Sequence, residues 1–540
     1  MSIIDAKTVG TLPALAAEQF GKTEALIFEG KRWNFEEFSD KVDDIARSLL
    51  AIGIKPGEKV SLWMMNRPEW LFINYAVAKI GAILVPLNTR YRTKDVAYAI
   101  NQSDSVAWIF QAQSGPINYY DMVRENLNEK FETNETTYLY KNFPKLREVV
   151  VFGGNPDSGI IGWNDFIQSG EEIADDTLDA STNSDNSNAI FLIAYTSGTT
   201  GAPKGVMHCH HLIKNTLDRI SRLKITSDDI IINSLPLFHL YAYGEGAICS
   251  MLTGAKQILT ETFDASENLD LIEKEKVTIV HGFDTHYKDM LESKKKKYRD
   301  TSTLRLGTFP SGAPSSVSIA LSTQKELVKT VSGWGMTETW AFATVSSLDD
   351  TLEQRCEASG YPIPGIEIKI INPETGKEQD IGEQGELIVR SYMNMQGYYN
   401  NEEETKKILK PDGWLHTGDT AILREDGHIR FLGRFKDMLK VGGENVSPLE
   451  IEAFLLKLTK INQVAVVGYP DERLYEVPAA FVVLQKKEHI TLEEIQLYCR
   501  DRIASFKIPR YLFCTDKLPM TPTGKVQKHV LRKKAIDNLS

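Results

Sequence analysis

A loop over residues 195–205, YTSGTTGAPKG, combines five hydroxyl side chains, three glycines and one lysine. It follows an apolar run over 189–194 that predicts a buried strand. Such a loop can present backbone N–H groups and hydroxyls to a phosphate, and glycine allows the close approach that this requires. Pro203 breaks the Walker A spacing, so the loop predicts phosphate binding without the P-loop NTPase fold. The predicted phosphate-binding residues are Thr196, Ser197, Gly198, Thr199, Thr200, Gly201 and Lys204.

Taken alone, the same composition is also typical of a solvated surface loop. The motifs that follow in the sequence decide between phosphate binding and a surface loop. They are WGMTET at 334–339, GELIVR at 385–390, GWLHTGD at 413–419, GRFKD at 433–437 with KVGGENV at 440–446, and PTGK at 522–525. In this order, from about residue 35 to residue 525, the chain resembles the adenylate-forming superfamily of acyl-CoA synthetases, peptide-synthetase adenylation domains and beetle luciferases.

The resemblance implies an ATP-dependent activation of a carboxylic acid. A carboxylate is a poor acylating agent, and attack on the α-phosphorus of ATP converts it into an acyl-AMP with AMP as the leaving group. Because this step brings anions together, catalysis should consist of cations, hydrogen-bond donors and alignment. The implied cofactors are ATP, Mg²⁺ and coenzyme A, and the thiol of coenzyme A takes the acyl group in the second step.

The metal and the nucleotide have predicted ligands in these motifs. Glu338 follows the hydroxyl of Thr337, and Mg²⁺ prefers such oxygen ligands; by resemblance Glu338 and Thr196 hold the ion. Trp334 offers adenine an aromatic face. The other residues that the resemblance assigns to the nucleotide are Gly312, Ala313, Pro314, Gly333, Gly335, Met336, Thr337, Asp419 and Arg434.

Asp419 can accept hydrogen bonds from both ribose hydroxyls, and Arg434 can donate to the same sugar. A surface ion pair between these two residues is the competing explanation. Lys525 lies on a Pro/Gly turn that would expose it as a compact point charge. By resemblance Lys525 is catalytic and bridges the substrate carboxylate and the α-phosphate.

The thioester-forming step has its own predicted residues. Gly442 and Gly443 would let an extended pantetheine arm pass close to the backbone, and the resemblance places the catalytic Lys440 near the thiol or AMP. Lys436 occupies the family's hinge position. The glycine-rich segment favours coenzyme A over a carrier protein as the acceptor.

The acyl pocket is less sharply predicted. His239 is the candidate gate in the segment PLFHLYAYG at 236–244, which also contributes Gly244. His281 is a further candidate, in a segment that departs from the family pattern by carrying Asp284 in place of proline. His281, Asp284 and His286 suit either a polar substrate or a buried hydrogen-bonded cluster, and both alternatives stay open. A medium- or long-chain fatty acid is the first expectation, a short substituted carboxylic acid the second, and a non-catalytic nucleotide sensor the rival from another class.

Composition limits the remaining alternatives. A chain of 540 residues is too long for one hydrophobic core, so at least two domains are expected. Its net charge of −11 argues against a nucleic-acid partner. The five scattered cysteines fit a reducing compartment, and the first residues lack a signal-peptide pattern. Polar residues interrupt the most apolar window, 70–88, so no integral membrane segment is expected. We expect a cytoplasmic protein, with a homodimer left open.

The order of apolar patterns predicts an α/β fold. Helical repeats such as 35–50 alternate with short apolar strands such as 59–64 and 82–87, which favours parallel-rich sheets flanked by helices. Alternating strands after residue 364 predict an antiparallel subdomain. A helix at 448–458, strands at 464–468 and 479–484 and a helix at 492–505 predict a small α+β unit. The expected domains are 1–435 and a small mobile domain 436–540, with the hinge near Lys436.

Overall fold

The computed structural model describes residues 2–127, 130–134, 137–182, 185–196, 203–312, 316–441, 444–500, 502–520 and 526–539. One large sheet has eight strands, parallel from its first edge to the strand that precedes the phosphate loop and antiparallel beyond it. In spatial order the strands are Ile161–Gly162, Glu148–Phe152, Ser105–Gln111, Lys59–Trp63, Ile83–Pro86, Ile190–Tyr195, Gly205–Cys209 and Gly397–Tyr398.

The second large sheet has seven strands, and all of its pairings except the last are parallel. The main apolar core joins residues of both sheets, which is what near-continuous apolar strands predict for sheets covered on both faces. In spatial order the strands are Thr330–Val331, Leu306–Thr308, Ile279–His281, Ile230–Asn233, Lys256–Leu259, Glu24–Phe28 and Lys31–Asn34.

Helices connect these strands, and the helix Phe35–Ala51 shows why the sequence forms them. Asn34 and Glu37 make a capping box at its start. Phe35, Phe38, Val42, Ile45 and Leu49 form its buried stripe. The other α-helices of the large unit are Leu12–Phe20, Pro68–Lys79, Thr93–Gln102, Tyr119–Asn126, Trp163–Ser169, Asp175–Ser181, Leu212–Leu223, Leu240–Ala242, Cys249–Thr253, Ala265–Glu275, Asp284–Lys296, Val317–Glu326, Leu352–Glu357 and Glu402–Ile408.

Shorter elements complete the large unit. The predicted antiparallel subdomain is present as the strands Ile366–Ile371, Gln384–Ser391, Trp414–Leu423 and Ile429–Arg434. A three-stranded sheet consists of Gly333–Trp334, Thr344–Val345 and Tyr361–Pro362. Two hairpins pair Gln113–Ser114 with Ile117–Asn118 and Lys130–Asn134 with Thr137–Tyr140. The π-helix is Tyr243–Ile248, and the 3₁₀ turns of the chain are Ile3–Asp5, Val9–Thr11, Gly170–Glu172, Thr337–Thr339, Phe435–Asp437 and Ser505–Lys507.

The C-terminal region has apolar clusters of its own. Its sheet orders Glu444–Val446, Leu439–Val441, Tyr475–Leu484 and Ile461–Asp471, with Tyr511–Cys514 added to Tyr475–Leu484. Its helices are Pro448–Leu455, Leu492–Cys499 and Lys528–Leu539.

The helix predicted over 492–505 is wrong in length. It ends at Cys499, because Arg500 takes the extended ψ of 134° and the chain leaves the helical path. Ile503, Phe506 and Ile508 then pack separately against the small core. Among the described helices of the whole chain, none is long and apolar enough to cross a membrane.

Candidate active site

The two ends of the predicted phosphate loop lie side by side. The strands Ile190–Tyr195 and Gly205–Cys209 are antiparallel neighbours, and the Thr196 N–H donates to the Lys204 carbonyl over 3.0 Å. Thr196 and Lys204 therefore lie opposite each other where this antiparallel strand pair ends. The tip of the loop, with Ser197, Gly198, Thr199, Thr200 and Gly201, lies outside the described residues, so their phosphate contacts stay predictions.

Lys204 has two neighbours that the sequence did not indicate. Its ammonium group forms an ion pair with Glu404 and lies 4.8 Å from the ring centre of Tyr398. Lys204, followed by Lys407, holds the pKa of the Glu404 carboxyl down at about 2. The Glu404 carboxyl is thus charged at neutral pH, and the ion pair keeps the Lys204 ammonium group near Tyr398.

Glu338 lies in the short turn Thr337–Thr339 and is only 7% exposed. Its Oε1 accepts a hydrogen bond from the Tyr398 hydroxyl over 2.8 Å. Burial, followed by the nearby Glu338 charge, raises the pKa of Tyr398 well above its usual range, so the phenol stays a donor. This contact fixes the direction in which the carboxylate of Glu338 points.

His208 is hydrogen-bonded to the same turn, Thr337–Thr339. Its Nε2 donates to the Thr337 carbonyl over 2.7 Å, and burial lowers the pKa of His208 to about 4. His208 is therefore neutral at pH 7 and adds no positive charge near Glu338. A single oriented carboxylate beside residues that are predicted to bind phosphate fits Mg²⁺, which commonly takes one or two protein oxygens and completes its shell with phosphates and water. In the described part of the chain, no group of three acidic, histidine or cysteine residues offers a metal site of another kind.

Trp334, Asp419 and Arg434 are joined directly. The indole N–H of Trp334 donates to Asp419 Oδ2 over 2.9 Å, and Arg434 Nε lies 2.9 Å from Asp419 Oδ1. The ion pair that competed with a nucleotide role does exist, with the Asp419 carboxylate buried and the Arg434 side chain 40% exposed. A buried carboxylate held between two donors can also accept hydrogen bonds from a bound sugar.

The glycines around Trp334 are required by close packing. A Cβ on Gly335 would lie 1.5 Å from the Ala341 carbonyl oxygen, and one on Gly333 would lie 2.6 Å from the Thr344 oxygen. Gly312 has φ of +100°, and its Cβ would lie 2.1 Å from Ser359 Oγ. At these positions the glycines allow close backbone packing against the segments of Ala341, Thr344 and Ser359. Met336 continues the Trp334 segment, and Ala313 and Pro314 lie outside the described residues.

The positive charges of Lys204, Arg434 and Lys436 are neighbours. Partial loss of hydration lowers the pKa of the Lys436 ammonium, and repulsion from Arg434 and Lys204 acts in the same direction, while Asp437 opposes it. Lys436 is the middle residue of the turn Phe435–Asp437, where the antiparallel subdomain ends. The predicted hinge therefore lies beside the predicted nucleotide site.

Of the residues predicted for the thioester step, the described Lys440 does not join this cluster. Lys440 lies on the strand Leu439–Val441, is exposed, and its ammonium is 4.0 Å from Glu374 on a turn of the antiparallel subdomain. Its backbone N–H donates to Glu476 over 3.1 Å. Gly442, Gly443 and Lys525 lie outside the described residues, and their roles stay predictions.

The predicted acyl-pocket residues lie around the π-helix. His239 is the N-cap of the short helix Leu240–Ala242 and is half-buried, with its ring 4.4 Å from that of Phe238. Gly244 belongs to the π-helix itself, and His281 ends a strand of the seven-stranded sheet. π-Helical turns are rare and often occur at functional sites.

His281 does not form a cluster with Asp284 and His286. It is fully buried, its Nδ1 is 2.7 Å from Thr308 Oγ1, and burial lowers its pKa to about 3. Asp284 Oδ1 accepts from the Thr285 N–H, and His286 accepts from the Phe283 N–H, both at the start of the next helix. The described contacts of Asp284 and His286 are therefore local to the helix start and do not join either side chain to His281.

The chain is similar to known proteins that bind AMP, in keeping with the nucleotide site predicted above. Residues 14–399 match the family model described as AMP-binding enzyme, and residues 450–525 match its C-terminal domain. The chain belongs to the AMP-binding enzyme family. YngI of Bacillus subtilis (strain 168), named an acyl-CoA synthetase, is 35% identical over 99% of this chain and 98% of its own length.

Two further relatives extend the likeness. The mitochondrial medium-chain acyl-CoA ligase ACSF2 of Mus musculus is 32% identical over 98% of this chain and 88% of its own length. The crystal structure of the anthranilate CoA ligase AuaEII with anthranoyl-AMP superposes with a TM-score of 0.86 at 26% identity, covering both chains fully. The protein is an ATP-dependent, AMP-forming acid–CoA ligase that uses ATP, Mg²⁺ and coenzyme A.

Proposed function

We propose that this ligase activates a medium-chain fatty acid. The mouse relative carries that specificity in its name, and the region around the π-helix supplies an apolar and aromatic wall. In that wall the rings of Tyr241 and Phe342 lie 5.1 Å apart and both residues are buried. An apolar wall favours the acid's methylenes at about 0.8 kcal/mol for each one that leaves water.

An acid with a polar substituent is the second candidate. The Nε2 atom of buried His281 has no hydrogen-bond partner among the described residues. A buried polar atom without a partner is costly, and a polar group on the acid would supply one. The related AuaEII structure holds an aromatic acid adenylate, which is in keeping with this alternative.

The cluster of Trp334, Asp419 and Arg434 is the observation that carries the nucleotide site. In our proposal adenine lies against Trp334, and the ribose hydroxyls donate to the Asp419 carboxylate that Trp334 and Arg434 already orient. Lys204 and the loop before it take the outer phosphates, close to Arg434. The carboxylate attacks the α-phosphorus in line with departing pyrophosphate, and these cations stabilise the charge that spreads over the phosphate oxygens.

Glu338 and Thr196 would hold Mg²⁺, which supplies charge neutralisation between the phosphates when it is bound. Tyr398 and His208 would act behind Glu338 by keeping its carboxylate oriented and its surroundings neutral. Lys525 would reach the acid and the α-phosphate from the small unit. The roles of Tyr398 and His208 rest on their hydrogen bonds to Glu338 and to the Thr337 carbonyl.

We also propose that the chain divides into units 1–435 and 436–540, with Lys436 as the hinge. The separate apolar clusters of the C-terminal region support this division. Lys440 points towards Glu374 rather than the nucleotide cluster, so it reaches the thiol only after the small unit turns. Such rotations occur about a few backbone torsions at an element end. Gly442 and Gly443 would then border the pantetheine arm.

The remaining expectations concern the gate, the assembly and the compartment. His239 is proposed to gate the acyl pocket, since it caps the helix that leads into the π-helix. His239→Ala should then change the ranking of acids more than the ATP requirement. A homodimer and a cytoplasmic location stay proposals; the five free cysteines are in keeping with the second.

A substrate panel tests the proposed acid. Pyrophosphate release is measured with butanoate, hexanoate, octanoate, dodecanoate, hexadecanoate and benzoate, each with coenzyme A, and the products are identified by mass. The proposal predicts the highest kcat/KM for hexanoate or octanoate and an acyl-CoA product. A maximum at hexadecanoate or at benzoate would refute the medium-chain assignment.

A further inference from the structure

Lys204, at the end of the predicted phosphate loop, is paired with a carboxylate from a distant part of the chain. That carboxylate belongs to Glu404, in the first turn of the helix Glu402–Ile408. The Glu404 N–H donates to the side chain of Asn401, which caps this helix, over 3.2 Å. Both side chains of the ion pair are 31% exposed. A ligand that comes from solvent can therefore reach the Lys204 ammonium group.

The ion pair lies next to the predicted metal ligand. The Lys204 ammonium group is 4.8 Å from the ring centre of Tyr398, and the hydroxyl of the same tyrosine donates to Glu338 over 2.8 Å. The backbone of Lys204 is also fixed, because its carbonyl accepts from the Thr196 N–H. One tyrosine thus connects the Lys204–Glu404 pair with the carboxylate that is proposed to hold Mg²⁺.

Two kinds of anion would use the same ammonium group. Lys204 is proposed to bind the outer phosphates of ATP, and Glu404 already occupies it. Two acceptors of one ammonium group lie at most about 6 Å apart, which is twice a hydrogen-bond length. At that distance a phosphate and a carboxylate repel each other. The Glu404 carboxylate and the phosphates therefore oppose each other at Lys204.

Lys407 provides Glu404 with a second cation. Its ammonium group lies 2.6 Å from Glu404 Oε1, whereas Lys204 is paired with Oε2. If Lys204 turns to a phosphate, Glu404 keeps a charged partner. The long, flexible side chain of lysine allows such an exchange without movement of the backbone.

We propose that Glu404 competes with the outer phosphates of ATP for Lys204, and so limits how tightly the triphosphate and pyrophosphate are held. ATP displaces Glu404 from Lys204 when it binds, and Glu404 pairs with Lys204 again as pyrophosphate leaves. The competition weakens ATP binding but favours release of pyrophosphate after adenylate formation. This inference rests on the proposed role of Lys204 at the phosphates.

Glu404→Gln tests the competition, because it removes the charge and keeps the size of the side chain. The rate of acyl-CoA formation is measured with the best acid of the substrate panel, and it gives KM for ATP and the inhibition constants of pyrophosphate and AMP. KM for ATP and the pyrophosphate constant should each fall about fivefold, the upper value for a partly exposed ion pair. The AMP constant should change by less than about twofold, because AMP has no outer phosphates.

Two further variants serve as controls. Glu402→Gln removes the same charge from the same helix, but the described ion pair of Glu402 is with Lys406 at an exposed position. Its constants for ATP and pyrophosphate should change by less than about twofold. Lys204→Gln should raise KM for ATP about tenfold or more, as expected for loss of a charged hydrogen-bond donor. Adding Glu404→Gln to Lys204→Gln should then change KM by less than about twofold, since no ammonium group is left to compete for.

The inference is overturned if Lys204→Gln raises KM for ATP but Glu404→Gln leaves either constant unchanged or raises it. It is also overturned if the AMP constant falls equally, or if Glu402→Gln has the same effect. Failure of the proposed role of Lys204 looks different. In that case Lys204→Gln would keep the parent's KM for ATP, whatever residue stands at position 404.

Discussion

Tyr398→Phe gives the sharpest test of the proposed metal site. The substitution removes one oxygen atom, the hydroxyl that donates to Glu338 Oε1 over 2.8 Å, and keeps the ring that lies beside Lys204. Both Tyr398 and Glu338 are buried, so water does not readily replace the lost donor. We therefore expect the Glu338 carboxylate to lose its fixed direction while the fold is kept.

The size of the effect follows from the kind of hydrogen bond. A bond to a charged group contributes about 1.5–3 kcal/mol, which corresponds to about 10- to 150-fold in an equilibrium constant. Loss of a group that orients a metal ligand typically weakens metal binding about 10- to 100-fold. The Mg²⁺ concentration for half-maximal pyrophosphate release should rise by about that factor in Tyr398→Phe, and excess Mg²⁺ should restore most of the rate.

Tyr399→Phe is the matched control for this experiment. The neighbouring Tyr399 donates its hydroxyl to Asp104 over 3.0 Å and makes no described contact with Glu338. Its Mg²⁺ dependence should stay within about twofold of the parent's. Glu338→Ala, by contrast, should lose pyrophosphate release with circular dichroism unchanged, and excess Mg²⁺ should not rescue it. An unchanged Mg²⁺ response in Tyr398→Phe would refute the orienting role, and full activity in Glu338→Ala would remove Glu338 from the site.

Further predictions concern the sugar site, the two half-reactions and pH. Asp419→Asn should raise KM for ATP about 10- to 100-fold, because the neutral amide accepts weaker hydrogen bonds; Glu367→Gln, at an exposed pair with Arg390, should not. Lys525→Ala should abolish adenylate formation yet still convert synthetic acyl-AMP and coenzyme A into thioester. Lys436→Pro should spare adenylation and slow thioester formation, since proline fixes φ; equal loss of both half-reactions in the two variants would contradict the alternation. Burial lowers the pKa of His281 to about 3, so its stabilising contribution is full above the unfolded pKa of about 6.5 and is lost as pH falls towards 3. The parent should lose about 2 kcal/mol more unfolding free energy than His281→Gln between about pH 7 and pH 5 in urea, and equal losses would contradict this.

The sequence predicts well those features that depend on neighbouring residues. The helix Phe35–Ala51 and the strand Ile190–Tyr195 come within a residue or two of their patterns, because the apolar period and local caps decide them. An ion pair between Asp419 and Arg434 entered the sequence analysis only as the alternative to ribose binding, and the structure shows the pair on adjacent antiparallel strands. For the helix and the strand, the pattern of neighbouring residues is enough to predict the element and its bounds.

The residues that the sequence did not reveal depend on contacts between distant segments. Tyr398 meets Glu338 across 60 positions of chain, and the sequence around Tyr398 does not indicate a partner so far away. The local sequence contains one signal, the two consecutive tyrosines Tyr398 and Tyr399 after Gly397, whose hydroxyl groups can form hydrogen bonds.

Transfer of heavy oxygen tests the central claim, formation of an acyl-AMP, most directly. A carboxylic acid labelled with ¹⁸O in both carboxylate oxygens is incubated with the protein, ATP, Mg²⁺ and coenzyme A, and the products are separated and weighed by mass spectrometry. Attack of the carboxylate on the α-phosphorus predicts one ¹⁸O atom in AMP, one in the acyl-CoA, and unlabelled pyrophosphate. Label in inorganic phosphate together with ADP would mean that the acid attacks the γ-phosphorus, and it would contradict the account.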